Sequence, residues 1–197
     1  MARHRLTGLT LAAVAGTGYL AATAWFSSRP RRVELAAFRA TNAGGEYAVL
    51  RLPQQLGTPW ALVGAALLQL ARGRPRKALA VGLLLPIEKA VEVATKHLTD
   101  RPRPVYVTPT ELRDDAPVDG SSYPSGHAAI AAAVAVACLP DLPPAAGVLL
   151  GATAVLGSWV RVHQGAHHPG DVAGGLLLGT ALGAGADALA GGLRRRP

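Results

Sequence analysis

Residues 6–26 form an apolar run without a charged side chain. The run is long enough to cross a lipid bilayer as a helix, which takes roughly 20 apolar residues. Arg3, His4 and Arg5 precede it. The alternative is a cleaved signal peptide, because Ala22-Thr23-Ala24 resembles a cleavage site. The apolar core of a signal peptide is only about 7–15 residues long, so the pattern favours a retained helix.

Five more apolar segments follow, and together the six predict an all-α fold, a six-transmembrane-helix bundle. They cover residues 56–71, 78–95, 125–139, 145–162 and 172–190. In the last of them, glycine recurs every four residues at Gly175, Gly179 and Gly183, which predicts a flat face for close helix packing. Residues 27–55 are polar and contain several arginines, which predicts one or two amphipathic helices at the surface.

Composition favours a membrane protein over two other classes. Half of the 197 residues are hydrophobic and 16% are charged, which suits helix packing in lipid better than an aqueous core. The net charge of +8 would suit nucleic acid, but the arginines cluster at the ends of apolar runs, so no nucleic-acid partner is predicted. The single cysteine, Cys138, excludes an internal disulfide. The length fits one membrane-embedded domain, residues 1–197.

Three polar segments adjoin the apolar runs, at residues 96–104, 124–127 and 158–171. Ionisable groups at this depth are costly, so their density predicts a functional role. If all six apolar runs cross the membrane, the three segments lie on the same side. The basic start of the chain favours termini inside the cell, which places the segments on the extracytoplasmic face.

The first polar segment has the residues of an anion site. Two X-Pro steps predict an extended backbone that projects Arg101 and Arg103 beyond the helix carrying Lys96. Arginine pairs with phosphate oxygens through two parallel hydrogen bonds, and lysine adds a point charge. The alternative is interfacial snorkelling, with Lys96 paired to Glu92. Glu88, Glu92 and Lys96 are spaced by four, which predicts one polar stripe that faces the protein interior.

The second segment, 124–127, predicts a helix start. Ser125 is a plausible N-cap, and Gly126 allows a ligand to approach the backbone amides closely. His127 falls in the first turn, beside any anion bound there. An ordinary capped helix with an incidental histidine explains this segment equally well.

The third segment carries a candidate nucleophile. Pro169 is a good first helical residue, so Asp171 falls in the first turn of the last helix. There it is near enough to hold one ring nitrogen of His167 and leave the other free to attack. The alternative is a metal site, because His163, His167, His168 and Asp171 follow at suitable spacings.

The spacings in these segments resemble, in order, the three signatures of the type 2 phosphatidic acid phosphatase superfamily, in its integral membrane branch. The matching residues are Lys96, Arg103 and Pro104; Pro124, Ser125, Gly126 and His127; and Arg161, His167 and Asp171. The likeness is strongest over residues 96–171. One position departs from the pattern, since Val160 stands where the family usually has serine.

The resemblance implies a phosphatase that needs no metal and no cofactor and acts on a lipid phosphate in the membrane, either phosphatidic acid-like or a polyprenyl diphosphate. By the resemblance, His167 attacks phosphorus, Asp171 orients it and His127 protonates the leaving oxygen. The phosphate-binding residues that it implies are Lys96, Arg103, Ser125, Gly126 and Arg161. Arg101 has no place in the signatures and is interpreted as a contact for the substrate headgroup.

Two further functions stay open from the sequence. Vanadium haloperoxidases share the phosphate-site signatures but are soluble, which the apolar runs oppose. The other is a transporter or scaffold with a degenerate site. The sequence leaves the substrate lipid and the oligomeric state undecided. The acidic patch of the loop 101–123 and also Asp187 are interpreted as exposed polar surface; the patch consists of Glu111, Asp114, Asp115 and Asp119.

Overall fold

The computed structural model of the chain describes residues 2–45, 48–113 and 116–192. These residues form α-helices joined by turns and short 3-10 segments, and the part of the chain that is described contains no strand. The helices are α1 (Ala2–Phe26), α2 (Arg32–Asn42), α3 (Arg51–Gln54), α4 (Pro59–Ala71), α5 (Pro75–Thr99), α6 (Gly126–Cys138), α7 (Pro144–His163) and α8 (Pro169–Gly192). The predicted all-α fold is confirmed.

Each of the six apolar runs forms a helix, namely α1 and α4 to α8. Three of them are long and apolar enough to cross a membrane: 5–26 in α1, 144–163 in α7 and 169–191 in α8. Helices α4 and α6 have 13 residues each, about 20 Å of length, which is shorter than a hydrocarbon core of about 30 Å. The count of six spans therefore stays a prediction.

Helix α8 packs most extensively against α1 and α6, and small residues set the distance between the axes. A Cβ atom added at Gly179 would lie 2.0 Å from the carbonyl oxygen of Ala129, and one at Gly175 would lie 2.3 Å from that of Ser125. Gly183 lies against Ala133 in the same way. The predicted glycine face is confirmed, and it brings the N-termini of α6 and α8 together.

The polar stripe on α5 faces inward, as predicted. Glu88 and Glu92 are buried, and Lys96 is half-buried at the end of the stripe. The hydroxyl groups of Thr95 and Tyr19 are 2.7 Å apart, which ties α5 to α1 beside the stripe. The stripe therefore leads through the bundle to the segment that follows α5.

Large apolar side chains point outward from the bundle. Trp60 at the start of α4 is 76% exposed, and Leu20 in α1 and Val148 and Leu149 in α7 are also exposed. Soluble proteins seldom expose contiguous surface of this kind, whereas helices in lipid do. The exterior of the bundle is therefore suited to contact with acyl chains.

Residues 27–45 and 48–57 fold over the end of the bundle where α7 meets α8. Helix α2 buries Phe38 against the ring of His168, at a centroid distance of 5.6 Å. At its C-terminal end, the Asn42 amide donates to the carbonyl oxygens of Glu111 and His163, both at 2.9 Å. The predicted amphipathic helix is confirmed, and it joins the loop after α5 to the end of α7.

Asp187 is buried, contrary to its interpretation as exposed surface. Its carboxylate lies 2.7 Å from the Lys77 ammonium, so it belongs to an ion-pair network at the end of the bundle away from residues 27–57. In the loop 101–123, Arg103 and Arg113 are buried, while Glu111 is exposed. Asp114 and Asp115 lie outside the described residues.

Candidate active site

The three polar segments meet at one end of the bundle. Ser125 caps α6, because its hydroxyl accepts a hydrogen bond from the backbone amide of Ala128, as the sequence predicts. The Ser125 amide in turn donates to the carbonyl oxygen of Asp171 at 3.0 Å. This bond and the glycine contacts between α6 and α8 hold the second segment against the third.

The turn between α7 and α8 places His167. Helix α7 ends at His163, and Gly165 reverses the chain with a φ of 81°, a conformation that only glycine adopts without strain. The amides of Ala166 and His167 both donate to the carbonyl oxygen of Arg161, which tightens the turn. Helix α8 then begins at Pro169, as predicted. The His167 ring is buried at the centre of the site.

One nitrogen of the His167 ring is occupied. Its Nδ1 lies 2.8 Å from the carbonyl oxygen of Ser122 and 3.6 Å from Oδ2 of Asp171. Because a carbonyl oxygen only accepts hydrogen bonds, Nδ1 carries the proton and donates it, and Nε2 keeps its lone pair. Ser122 accepts the shorter hydrogen bond, and Asp171, as expected, lies beside the same ring nitrogen, where it supplies a negative charge at slightly longer range.

Burial keeps the His167 ring neutral. It lowers the pKa of His167 to about 4, although the Asp171 carboxylate acts in the opposite direction. The positive charges of Arg103 and Arg161 act with burial. At neutral pH the imidazole is therefore uncharged, with a lone pair available on Nε2.

Arg101 binds the far side of Asp171. Its guanidinium donates to Oδ1 of Asp171 and to Oε2 of Glu34, both at 2.5 Å. Glu34 also accepts from the backbone amide of Gly170 at 2.9 Å. Arg101 is only 1% exposed, so its interpretation as a headgroup contact is wrong. It is a buried bridge between α2 and the start of α8.

Asp171 also stabilises the start of its own helix. Its Oδ2 accepts from the amide of His168 at 2.7 Å, in the manner of a residue that caps a helix N-terminus. Its side chain is thus fixed from two directions, by this amide and by Arg101. Sequence reasoning did not assign Glu34, Ser122 or this use of Arg101.

Arg103 is held by the loop rather than by another side chain. Its guanidinium donates to the carbonyl oxygens of Asp119 at 2.7 Å and Ala166 at 2.9 Å. A third, longer bond of 3.4 Å goes to Ser121. Because these acceptors are uncharged, the bonds position the charge of Arg103 near His167 without neutralising it.

Arg161 approaches from the last turn of α7 and is also buried. Its guanidinium donates to the side-chain oxygen of Gln164 at 2.6 Å and to that of Gln54 at 3.5 Å. Gln54 belongs to α3, so the short helix between α2 and α4 also borders the site.

Lys96, Glu92 and Gly126 form the side of the site that faces α5. The ammonium of Lys96 lies 2.6 Å from Oε1 of Glu92. The Lys96–Glu92 ion pair, which the sequence offered as an alternative to a phosphate contact, is therefore present. A Cβ atom at Gly126 would lie 2.8 Å from the same oxygen, so a larger residue here would displace the Glu92 carboxylate. Glu92 therefore occupies the space between Lys96 and the first turn of α6.

His127 lies in the first turn of α6, within electrostatic range of Arg161, His167, Glu92 and Lys96. His127, Gly126 and Lys96 are partly exposed, whereas His167, Asp171 and Arg161 are buried. The side of the site formed by these three partly exposed residues is therefore the side from which a ligand can enter. All eight of the site residues predicted from the sequence lie at this end of the bundle.

The metal alternative relies on His163, whose ring does not face the other histidines. Its Nδ1 and Nε2 lie 3.0 Å and 3.1 Å from the carbonyl oxygens of Thr41 and Gly45. Within residues 2–45, 48–113 and 116–192, no group of three or more His, Cys, Asp or Glu residues is arranged to hold a metal ion.

Comparison with known proteins identifies relatives of the chain. A model of the PAP2 superfamily matches residues 77–190. A protein of Sulfolobus acidocaldarius named undecaprenyl-diphosphatase is 37% identical over 126 residues, which are 61% of this chain and 58% of that protein. The match thus spans less than two thirds of the relative's length.

Two solved structures share the fold. The crystal structure of Aquifex aeolicus LpxE superposes with a TM-score of 0.69 and 23% identity, over 78% of this chain and 93% of that one. The transmembrane PAP2-type phosphatidylglycerolphosphate phosphatase of Bacillus subtilis gives a TM-score of 0.74 and 20% identity, over 94% and 98% of the two chains.

Proposed function

Because the chain belongs to the PAP2 superfamily, we propose that it is an integral membrane phosphatase that hydrolyses the phosphate monoester or diphosphate of a lipid. The whole of residues 1–197 would act as one membrane-embedded domain. The observation that supports this most is the meeting of a neutral, oriented imidazole with three cationic side chains at one end of the helix bundle.

The orientation of His167 selects its reactive atom. With the proton on Nδ1 bonded to Ser122, the lone pair of Nε2 attacks phosphorus, and the bond from phosphorus to the leaving oxygen breaks. The phosphorylated imidazole becomes positively charged. Asp171, with Oδ2 at 3.6 Å, stabilises that charge.

The remaining site residues act on the phosphoryl group. His127 enters the first step as the imidazolium and donates its proton to the leaving oxygen. The neutral His127 ring then accepts a proton from water, whose oxygen attacks phosphorus while the bond from phosphorus to Nε2 of His167 breaks, so that phosphate is released and both rings return to their starting states. Charge that develops on the non-bridging oxygens is stabilised by Lys96, Arg103 and Arg161 and by the N-terminal backbone of α6 at Ser125 and Gly126. These contacts are preorganised by the hydrogen bonds around the arginines. No step in this scheme needs a metal ion or a cofactor.

A lipid substrate is supported by the surface next to the accessible side of the site. Leu98, two residues beyond Lys96, is 85% exposed, and Val93 is also exposed on the same helix. Phosphate-binding and lipid-facing side chains thus adjoin on α5. A phosphate could enter from the side while its acyl or prenyl chain stays in the membrane.

The names of the relatives support two candidate substrate classes. The name of the Sulfolobus protein suggests a polyprenyl diphosphate, and that of the Bacillus protein suggests a glycerolipid phosphate. We place the site on the extracytoplasmic face, because the basic start of the chain favours an inside location for the opposite end of the bundle.

The test is phosphate release from purified protein, with glycerolipid, polyprenyl and sphingoid phosphates, in the presence and absence of a chelator. We expect chelator-resistant release that is lost in His167→Ala. Wild-type activity in that variant would refute the nucleophile, and chelator-sensitive activity would refute the metal-independent mechanism. Folded protein that binds lipid phosphate without hydrolysing it would support a transporter or scaffold instead.

A further inference from the structure

A basic cavity lies at the end of the bundle away from the candidate active site. It has a volume of about 860 Å³ and is lined by the start of α1, the turn between α4 and α5, the turn after α6 and the end of α8. Its charged lining residues are Arg5, Arg74, Arg76, Lys77, Asp141 and Asp187. The cavity is large enough for the headgroup of a lipid.

The distance between the two sites is close to the thickness of a membrane. Lys77 and Lys96 both lie on α5, and at 1.5 Å per residue they are about 28 Å apart. Asp171 and Asp187 on α8 are about 24 Å apart by the same measure. Since a hydrocarbon core is about 30 Å thick, the cavity lies near the opposite membrane surface.

Buried ion pairs form the floor of the cavity. The Lys77 ammonium lies 2.7 Å from both Asp141 and Asp187, and Arg74 also pairs with Asp141. Gln69 donates to Asp141 at 2.9 Å. This network joins α5 to α8 and to the turn after α6, so the shape of the cavity does not depend on a ligand.

The rim of the cavity has cationic charge that the floor does not neutralise. Arg5 and Arg76 are exposed, and neither makes an ion pair within the described part of the chain. Among the described residues, four cationic and two anionic side chains line the cavity, which is a net charge of +2. The cavity is therefore suited to an anion.

Exposed apolar residues stand next to lining residues of the cavity in the sequence of α1 and α8. Leu6, which follows Arg5, is 63% exposed, and Leu189, which lies between the lining residues Ala188 and Ala190, is 57% exposed. A ligand with both a phosphate and an acyl chain would contact both kinds of surface. A free phosphate ion would contact only the arginines.

From this juxtaposition we infer that the cavity is a binding site for the headgroup of an anionic phospholipid in the membrane leaflet opposite the candidate active site. Arg5 and Arg76 bind the phosphate, and the acyl chains lie along Leu6 and Leu189. Basic pockets between transmembrane helices bind acidic lipids through the same combination of charge and apolar contact. This inference does not depend on the proposed hydrolysis, because the lipid stays intact.

The test is lipid binding by the purified full chain, measured by native mass spectrometry with phosphatidylglycerol, phosphatidylcholine and inorganic phosphate as separate probes. At about 1 kcal/mol for each arginine, replacing both Arg5 and Arg76 with alanine should weaken phosphatidylglycerol binding about 30-fold. Phosphatidylcholine should bind much more weakly to the wild type. The matched control replaces Arg29 and Arg32, exposed arginines beyond the other end of α1, and should change the affinity less than about threefold.

Three outcomes would overturn the inference. Equal weakening in the two double variants would show unspecific attraction to a basic protein. Equal affinity for the two phospholipids would exclude headgroup recognition. Inorganic phosphate that binds as tightly as the lipid would assign the cavity to a soluble anion. A measurement on the wild type alone adds a check, because phosphatidylglycerol binding should weaken as salt is raised.

Discussion

Replacing Arg101 with glutamine tests the buried bridge between α2 and α8. Arg101 is 1% exposed and makes ion pairs of 2.5 Å with Asp171, which is fully buried, and with Glu34, whose side chain is 9% exposed. Its removal leaves two carboxylates without their cation in a poorly solvated environment. Breaking a buried ion pair from one side typically costs about 3–5 kcal/mol. We therefore expect Arg101→Gln to be among the most destabilising single changes in this chain.

The assay is thermal unfolding in detergent, followed by circular dichroism. For a chain of this size, a loss of about 3 kcal/mol lowers the melting temperature by about 6–12 °C. Arg39→Gln is the matched control, because Arg39 is exposed and bonds only to the hydroxyl of Thr108 among the described residues. It should change the melting temperature by less than about 3 °C.

A double-mutant cycle separates the ion pair from other effects of the substitution. Glu34→Gln removes one of the two carboxylates, so the pair of substitutions should cost less than the sum of the single ones by at least about 1 kcal/mol. Lipid phosphatase activity should fall in Arg101→Gln, because Asp171 loses one of its two fixed contacts. If Arg101→Gln melted within about 2 °C of the wild type, or if the two effects were additive, the bridge would not have the role assigned to it.

Three other predictions concern the packing of α8, the protonation of His167 and the charge beside Lys96. Gly179→Val should prevent folding or lower the melting temperature strongly, because its Cβ alone would lie 2.0 Å from a backbone oxygen of α6. Gly185→Ala is the control and should be neutral, because no atom lies within 4 Å of the added Cβ. Equal effects of the two substitutions would contradict the packing described for α8. Burial lowers the pKa of His167 from 6.5 to about 4, so between these values the unfolded state binds more protons than the folded state. The free energy of unfolding should therefore fall by up to about 3 kcal/mol as the pH drops from 6.5 to 4. His167→Gln should lack this part of the pH dependence, and an unchanged profile in the variant would refute the burial argument. Glu92→Gln removes an anion that pairs with Lys96, so inorganic phosphate should inhibit the variant about fivefold more tightly, and weaker inhibition would contradict the assignment of Lys96 to the phosphate.

The local chemistry of the site could be predicted from the sequence because it depends on neighbours in the chain. Ser125 caps α6, Pro169 begins α8, and Glu88 and Glu92 share a buried face of α5, as their spacing indicates. Each of these features follows from helix periodicity or from the first turn of a helix.

The contacts of Arg101 could not be predicted, because its partners lie 67 and 70 residues away in the chain. Nothing in the periodicity of α2 distinguishes Glu34 from a solvated carboxylate. The bond from His167 to the Ser122 carbonyl could not be predicted either, because every residue has a backbone carbonyl and the type of side chain does not indicate which one accepts. Asp187 was misinterpreted because its partner Lys77, in the first turn of α5, lies in a basic stretch of sequence that resembles exposed surface.

The most direct test of the central claim is to trap the phosphoryl group on the protein. Rapid mixing with a phosphate-labelled lipid substrate, followed by alkaline quenching and peptide mapping, should give an acid-labile label on His167 in the wild type. Folded His167→Ala should give no label and no turnover. Label on another residue, or turnover at the wild-type rate in the variant, would contradict the account.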